Sequence, residues 1–179
     1  MIYIGDIMYK VINEKDQLIH LVDEYNDSIF IVLGEKRNLV IDLGMSNDDI
    51  KPILEQYHKP YDIVCTHGHF DHVGRSNEFD SIDMSLKDIP LYLDNHAIND
   101  ELYYIDVHQI KEIKEYYDLG DRKIYTLELP GHTLGSYILI DPINHYIFTG
   151  DALGSGCGVW MQVDYSLSIK DYHKSLIDT

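Results

Sequence analysis

Nine consecutive residues, Thr66-His67-Gly68-His69-Phe70-Asp71-His72-Val73-Gly74, put three imidazoles and a carboxylate within six positions, at the end of the strand-like stretch Tyr61 to Thr66. This run constrains the fold more than any other feature. Its residue types are metal ligands, and its spacing suits a buried strand that gives way to a loop. Side chains two residues apart in extended backbone project to one side, so His67 and His69 can share one ion. Gly68 between them permits a tight turn. Asp71 and His72 follow at the expected start of a helix, where the positive end of the dipole favours a carboxylate. The changed chain direction aims that pair at a second ion. Two further candidates occupy matching positions: His132 in Pro130-Gly131-His132-Thr133, after the strand-like Lys123 to Leu129, and Asp151 in Gly150-Asp151, after His145 to Thr149. Every candidate falls at a strand-to-loop exit, so one edge of a sandwich can gather them.

The rest of the chain supplies such a sandwich. Gln17 to Val22, Ser28 to Leu33 and Asn38 to Asp42 are short apolar runs bounded by turn residues such as Asn26-Asp27 and Gly34-Glu35, and they predict an antiparallel meander. Ile50, Ile53, Leu54 and Tyr57 recur at helical spacing, which predicts a helix capped by Ser46 or Asn47. A short strand is expected around Ser81 to Met84 and a helix from Leu86 or Lys87. Val107 to Tyr117 shows mixed helical periodicity. Ser136 to Ile140 reads as a strand, and Ser168 to Ile177 as an amphipathic helix. No linker-like composition divides the 179 residues, so one α/β domain over 1–179 is expected.

Composition narrows the function. With 14 Lys and Arg against 31 Asp and Glu, the net charge is 14 − 31 = −17, which argues against nucleic acid as an electrostatic partner. No apolar run reaches the roughly 18 to 20 residues of a membrane span, and the start of the chain lacks a signal-peptide pattern. Two separated cysteines make a disulfide framework improbable and favour a reducing, cytoplasmic setting. Cys65 reads as a core residue, and Cys157 in a glycine-rich loop as a minor ligand candidate.

The His67-to-His72 run, the preceding Asp42-Leu43-Gly44, Pro130 to Ser136 and Gly150-Asp151 together resemble the metallo-β-lactamase superfamily of metallohydrolases. That resemblance implies a four-layer αββα sandwich. It implies that His67, His69 and His132 hold one metal, that Asp71 and His72 hold the second, and that Asp151 bridges both. A further histidine is implied from beyond residue 179, so the expected domain lacks its last strand and helix and holds its second metal weakly. His173 is expected to be an ordinary residue of the terminal helix.

Two cations side by side lower the pKa of a bridging water and make a hydroxide nucleophile, which points to hydrolysis. Nitrogen and oxygen ligands favour zinc, with manganese or iron as alternatives. Asp71 is the candidate catalytic residue, orienting the nucleophile, and Asp42 a candidate to orient a ligating histidine. Trp160, Met161 and Tyr165 are candidates for a substrate pocket. The expected substrate is a small ester, thioester, lactone or lactam, with glyoxalase II-like or lactonase-like activity. A catalytically impaired metal-binding domain is the alternative, and phosphodiesterase or nuclease action a lesser one. Apolar surface on the second half is expected to drive assembly into a homodimer or larger.

Overall fold

The computed structural model describes residues 9–15, 17–98, 104–154 and 158–179, with the side chains of 13–15 and 96–98 outside that description. Seven strands form one sheet in sequence order: β1 (Lys10–Lys15), β2 (Leu18–Val22), β3 (Ser28–Val32), β4 (Asn38–Ile41), β5 (Tyr61–Val64), β6 (Ile82–Asp83) and β7 (Ile110–Lys111). The first four are antiparallel, and from β4 onward neighbours run parallel. Parallel pairing needs a crossover, and α1 (Lys51–Glu55) lies in the one that joins β4 to β5. The second sheet is a meander of β8 (Tyr116–Asp118), β9 (Lys123–Glu128), β10 (Tyr137–Asp141) and β11 (Tyr146–Phe148).

Alternation along the strands sorts the apolar residues into two cores. Ile19, Leu21, Ile29, Ile31, Val40 and Ile63 face a helical layer, where α1 contributes Ile53 and Leu54 and α3 (Ile89–Ile98) contributes Tyr92. Leu18, Val32, Leu39, Ile41 and Val64 face the second sheet and meet Ile124, Leu139 and Phe148. Strands β4 and β5 are covered on both faces over Leu39 to Ile41 and Ile63-Val64, which is why those stretches are apolar without alternation. On the outer face of the second sheet, the cross-strand row Ile147, Ile140, Tyr125 and Tyr116 leaves Ile147, Tyr125 and Tyr116 exposed. The mixed α/β architecture matches the expected class. Among the described residues no helix is long and apolar enough to cross a membrane.

Four local readings differ from the structure. Helix α1 starts at Lys51, not near Ser46, because its first amides find a distant partner. The Glu78 carboxylate accepts from Ile50 N at 3.2 Å and Lys51 N at 2.9 Å, while Ser46 Oγ donates to Glu24. Val107 to Tyr117 is not helical: a 3-10 turn (Val107–Gln109) leads into β7 and then β8. Its apolar residues recur every three or four positions, yet Ile110 enters the helix-side core while Ile113 and Tyr117 enter the inter-sheet core. A helix would put them on one face. Leu86–Asp88 is a 3-10 turn before α3, and β1 has no counterpart in the expected meander.

Candidate metal centre

The predicted ligands converge. Strand β5 ends at Val64, and the loop after it carries His67 and His69 into the one-turn helix α2 (Phe70–Val73), which holds Asp71 and His72. The loop after β9 brings His132 and the turn after β11 brings Asp151. Two groups of three ligand atoms lie within 4.8 Å of one another: His67, His69 and His132, and His67, His72 and Asp151. Asp71 falls outside both groups, with its Oδ2 3.6 Å from His72 Nε2.

The hydrogen bonds around the histidines fix which nitrogens face inward. Asp42, at the end of β4 with φ 61°, accepts from Thr66 N at 2.7 Å and from His72 Nδ1 at 2.8 Å. Thr66 Oγ1 lies 2.9 Å from Asp42 Oδ2 and 3.2 Å from His67 Nδ1. A carboxylate only accepts, so the hydroxyl donates to Asp42 and its lone pair takes the His67 Nδ1 proton. His67 Nε2 is left as a bare lone pair, buried and without a partner among the described residues. His132 Nδ1 donates to the Trp160 carbonyl at 2.7 Å, which turns its Nε2 toward His69 Nδ1, 2.9 Å away. Burial, then the neighbouring imidazoles, hold His67 well below the usual histidine range; burial and His132 bring His69 down to about 4. Burial works to lower His72 as well, but the Asp42 carboxylate, with Asp71 and Asp151, overrides it and pushes His72 up to about 10.

Neutral imidazoles aiming lone pairs at one another repel unless an electrophile sits between them. The donor set therefore fits a divalent cation, as the buried, partnerless His67 Nε2 indicates. The nitrogen pair on His67 and His132 is prepared for it: each ring's other nitrogen is held by a bond from its own N–H, the arrangement that orients metal-ligating histidines.

Two carboxylates that the sequence did not single out complete the surroundings. Asp88, 1% exposed, accepts from Gly68 N at 2.9 Å, Thr133 Oγ1 at 2.7 Å and Gly135 N at 2.7 Å. It fastens the loop of His67 and His69 to the loop of His132. A Cβ on Gly68 would stand 2.9 Å from that of Asp88, so only glycine allows this approach. Asp27, which the sequence marks only as a turn residue, lines the cleft over the cluster. That cleft holds about 480 Å³.

Other candidates divide. Trp160 lines the cleft, whereas Met161 and Tyr165 do not, and Val163 does instead. Tyr165 hydrogen-bonds Asp94. Cys65 is fully buried core with its thiol pushed up by burial, and His173 is exposed on α4 (Ile169–Asp178), outside both ligand groups. Cys157 lies outside the described residues. Helix α4 braces the site from behind: Tyr172 packs on Gly131 and donates to the Ala152 carbonyl at 2.6 Å.

Comparison with known proteins identifies the family. A hydroxyacylglutathione hydrolase of Buchnera aphidicola subsp. Schizaphis graminum is 36% identical over 124 residues, covering 67% of this chain and 44% of its own length. The acyl-coenzyme A thioesterase MBLAC2 of Gallus gallus is 25% identical over 178 residues, covering 81% of this chain and 63% of that protein. The chain thus spans about half to two thirds of these curated relatives. A protein of Aquifex aeolicus is 33% identical over 147 residues, 73% of this chain and 67% of the relative. Among solved structures, TTHA1623 in a di-iron-bound form superposes with a TM-score of 0.67 at 21% identity, covering 94% of this chain and 84% of that one. The BLEG-1 B3 metallo-beta-lactamase gives 0.69 at 16% identity, over 90% and 84%. The family model of the metallo-beta-lactamase superfamily matches residues 22–178. With its strand-exit histidines and paired sheets, the chain belongs to the metallo-beta-lactamase superfamily.

Proposed function

We propose that the protein is a metal-dependent hydrolase that cleaves the acyl bond of a small thioester or ester, with lactones and lactams as related substrates. The observation that carries this reading is the convergence of His67, His69 and His132 on one point, with His67 Nε2 buried and bare. Those three residues would hold one divalent ion, and His72 and Asp151, with Asp71 beside them, a second. When bound, such ions polarise the acyl carbonyl and make water a nucleophile near neutral pH. Zinc suits the nitrogen-rich set, and iron or manganese fits the same donors.

The chain's own residues do the rest. Asp42 holds the His72 ring in one orientation and keeps its Nδ1 protonated. The Asp71 carboxylate, part-exposed on the cleft, accepts a hydrogen bond from the attacking water and orients it toward the acyl carbon. The water oxygen bonds to that carbon, the carbon–sulfur or carbon–oxygen bond breaks, and the thiol or alcohol leaves with a proton. Phe30, Phe70, Phe148 and Trp160 line the cleft and exclude bulk water from the apolar part of the substrate. Relatives that act on hydroxyacylglutathione and acyl-coenzyme A support a thioester carbonyl as the reacting group.

The test is hydrolysis of a panel of short-chain thioesters and esters by zinc-loaded protein, with His67→Ala and His132→Ala as controls. Turnover that disappears on chelation, returns with metal and is lost in both variants is the expected result. Metal binding without turnover of any substrate would leave a metal-binding domain and refute the hydrolase.

A further inference from the structure

His69 differs from the two histidines it converges with. Thr66 holds the His67 ring at Nδ1 and the Trp160 carbonyl holds the His132 ring at Nδ1, whereas among the described residues no group bonds His69 Nε2. The nitrogen that His69 turns to the shared point is Nδ1, 2.9 Å from His132 Nε2. Nδ1 sits nearer the main chain than Nε2, so its place is set chiefly by the backbone of residue 69. That backbone follows Gly68, whose missing side chain leaves its peptide planes freer to rotate than those of any other residue type.

Two side chains of one helical stretch remove this freedom. Asp88 ends the turn before α3, and Asn95 follows seven positions later, about two turns along the same face. Gly68 N donates to Asp88 Oδ2 at 2.9 Å, and Asn95 Nδ2 donates to the Gly68 carbonyl at 2.6 Å. A carbonyl oxygen only accepts, so the end of the Asn95 amide that faces it is the NH2 group. Asp88 thus fixes the peptide plane between His67 and Gly68, and Asn95 the plane between Gly68 and His69. Asn95 is buried, and asparagine is both a weak helix former and costly to bury unpaired. The docking of α3 does not depend on it, because Tyr92, wholly buried on the same helix, donates to the Ile105 carbonyl at 2.7 Å.

Resting on the metal-centre reading, we infer that Asn95 is a positioning residue of that centre: by holding the Gly68 carbonyl it orients His69 and sets the separation of the His67 and His69 donor nitrogens. Asn95 touches no ligand side chain and acts through the backbone alone.

Cobalt(II) in place of zinc reads such geometry directly, because its visible absorption depends on the number and arrangement of its ligands. Asn95→Leu keeps roughly the same volume and removes the donor. Its first equivalent of cobalt should absorb with altered band position and intensity, and chelator competition should show affinity weakened about tenfold, the lower end of what groups that orient ligands contribute. Tyr92→Phe removes a buried hydrogen bond from the same helix without touching Gly68, so it should lose stability and keep the wild-type spectrum and affinity. A wild-type cobalt spectrum and affinity in Asn95→Leu, or the same change in Tyr92→Phe, overturns the inference. Should Asn95→Leu not fold, nuclear magnetic resonance of the wild-type protein decides. The Asn95 side-chain amide protons should exchange with solvent severalfold more slowly after the first equivalent of zinc, and unaltered exchange overturns the inference. These readouts follow metal binding and not turnover. Absence of any hydrolysis would refute the proposed hydrolase and leave the role of Asn95 standing, whereas an active wild type whose Asn95→Leu variant binds cobalt unchanged would do the reverse.

Discussion

Removing the Asp88 carboxylate should loosen the metal centre although Asp88 touches no metal ligand side chain. Asp88→Ala takes away the acceptor for two buried backbone amides, Gly68 N and Gly135 N, and for the Thr133 hydroxyl. Each orphaned amide costs about 1–3 kcal/mol. The hydroxyl retains Ser136 Oγ at 2.9 Å and adds little. Burial already raises the Asp88 carboxyl, so deleting it also relieves some desolvation, and the net loss should be about 3 kcal/mol. Asp88→Asn keeps one acceptor oxygen and should lose about half of that. The larger consequence concerns geometry. His69 and His132 sit on the two loops that Asp88 joins, and loss of a group that orients ligands weakens metal affinity roughly 10–100-fold. Chelator competition on wild type, Asp88→Asn and Leu139→Ala distinguishes the effects, because Leu139 is wholly buried between the sheets and belongs to neither ligand group. Asp88→Asn should lose affinity and Leu139→Ala should not, even where Leu139→Ala is the less stable protein. Wild-type affinity in Asp88→Asn would show that the junction between the loops is structural only, and the argument would fail.

Three other outcomes follow from the same geometry. His72 is held protonated in the metal-free protein at pH 7 and must shed its Nε2 proton to ligate, so calorimetric titration of zinc in buffers of differing ionisation enthalpy should detect release of about one proton at this group. Because its folded pKa of about 10 lies above its unfolded value, that stabilisation is complete below pH 6.5 and fades as pH rises toward 10. Urea midpoints of the metal-free protein should fall across this window, and His72→Gln should flatten the fall. Gly150→Ala builds a Cβ 2.3 Å from Thr66 Oγ1 at φ +45°, which should cost about 1–3 kcal/mol and shift Asp151; an unchanged melting temperature would contradict it. Leu139→Ala should cost about 2–5 kcal/mol, read as a fall in urea midpoint at constant slope.

What the sequence disclosed and what it hid follow one physical division. A metal ligand set leaves a local imprint, because two side chains reach one ion only if backbone geometry presents them together. The two-residue step from His67 to His69 and the glycine turns before His132 and Asp151 are therefore visible as patterns. The strands that lead to them are equally visible, since Leu39 to Ile41 of β4 and Ile63-Val64 of β5 are covered on both faces and are apolar without alternation. Helical spacing misleads where consecutive residues serve different cores, as Ile110 and Ile113 do on opposite sides of the first sheet. The residues that tune the site leave no imprint. Asp88 reaches Gly68, Thr133 and Gly135 across 20, 45 and 47 positions, and Glu78 caps α1 from 27 and 28 positions away. A carboxylate that acts at such separations needs no neighbour of a particular type, so a turn or helix start explains its presence equally well. Asp42 was legible only because it stands at the mouth of the strand beside the histidines. The number and kind of ligands thus depend on local spacing, whereas the orientation of those ligands depends on Asp42 and Asp88, whose contacts exist only once the chain has folded.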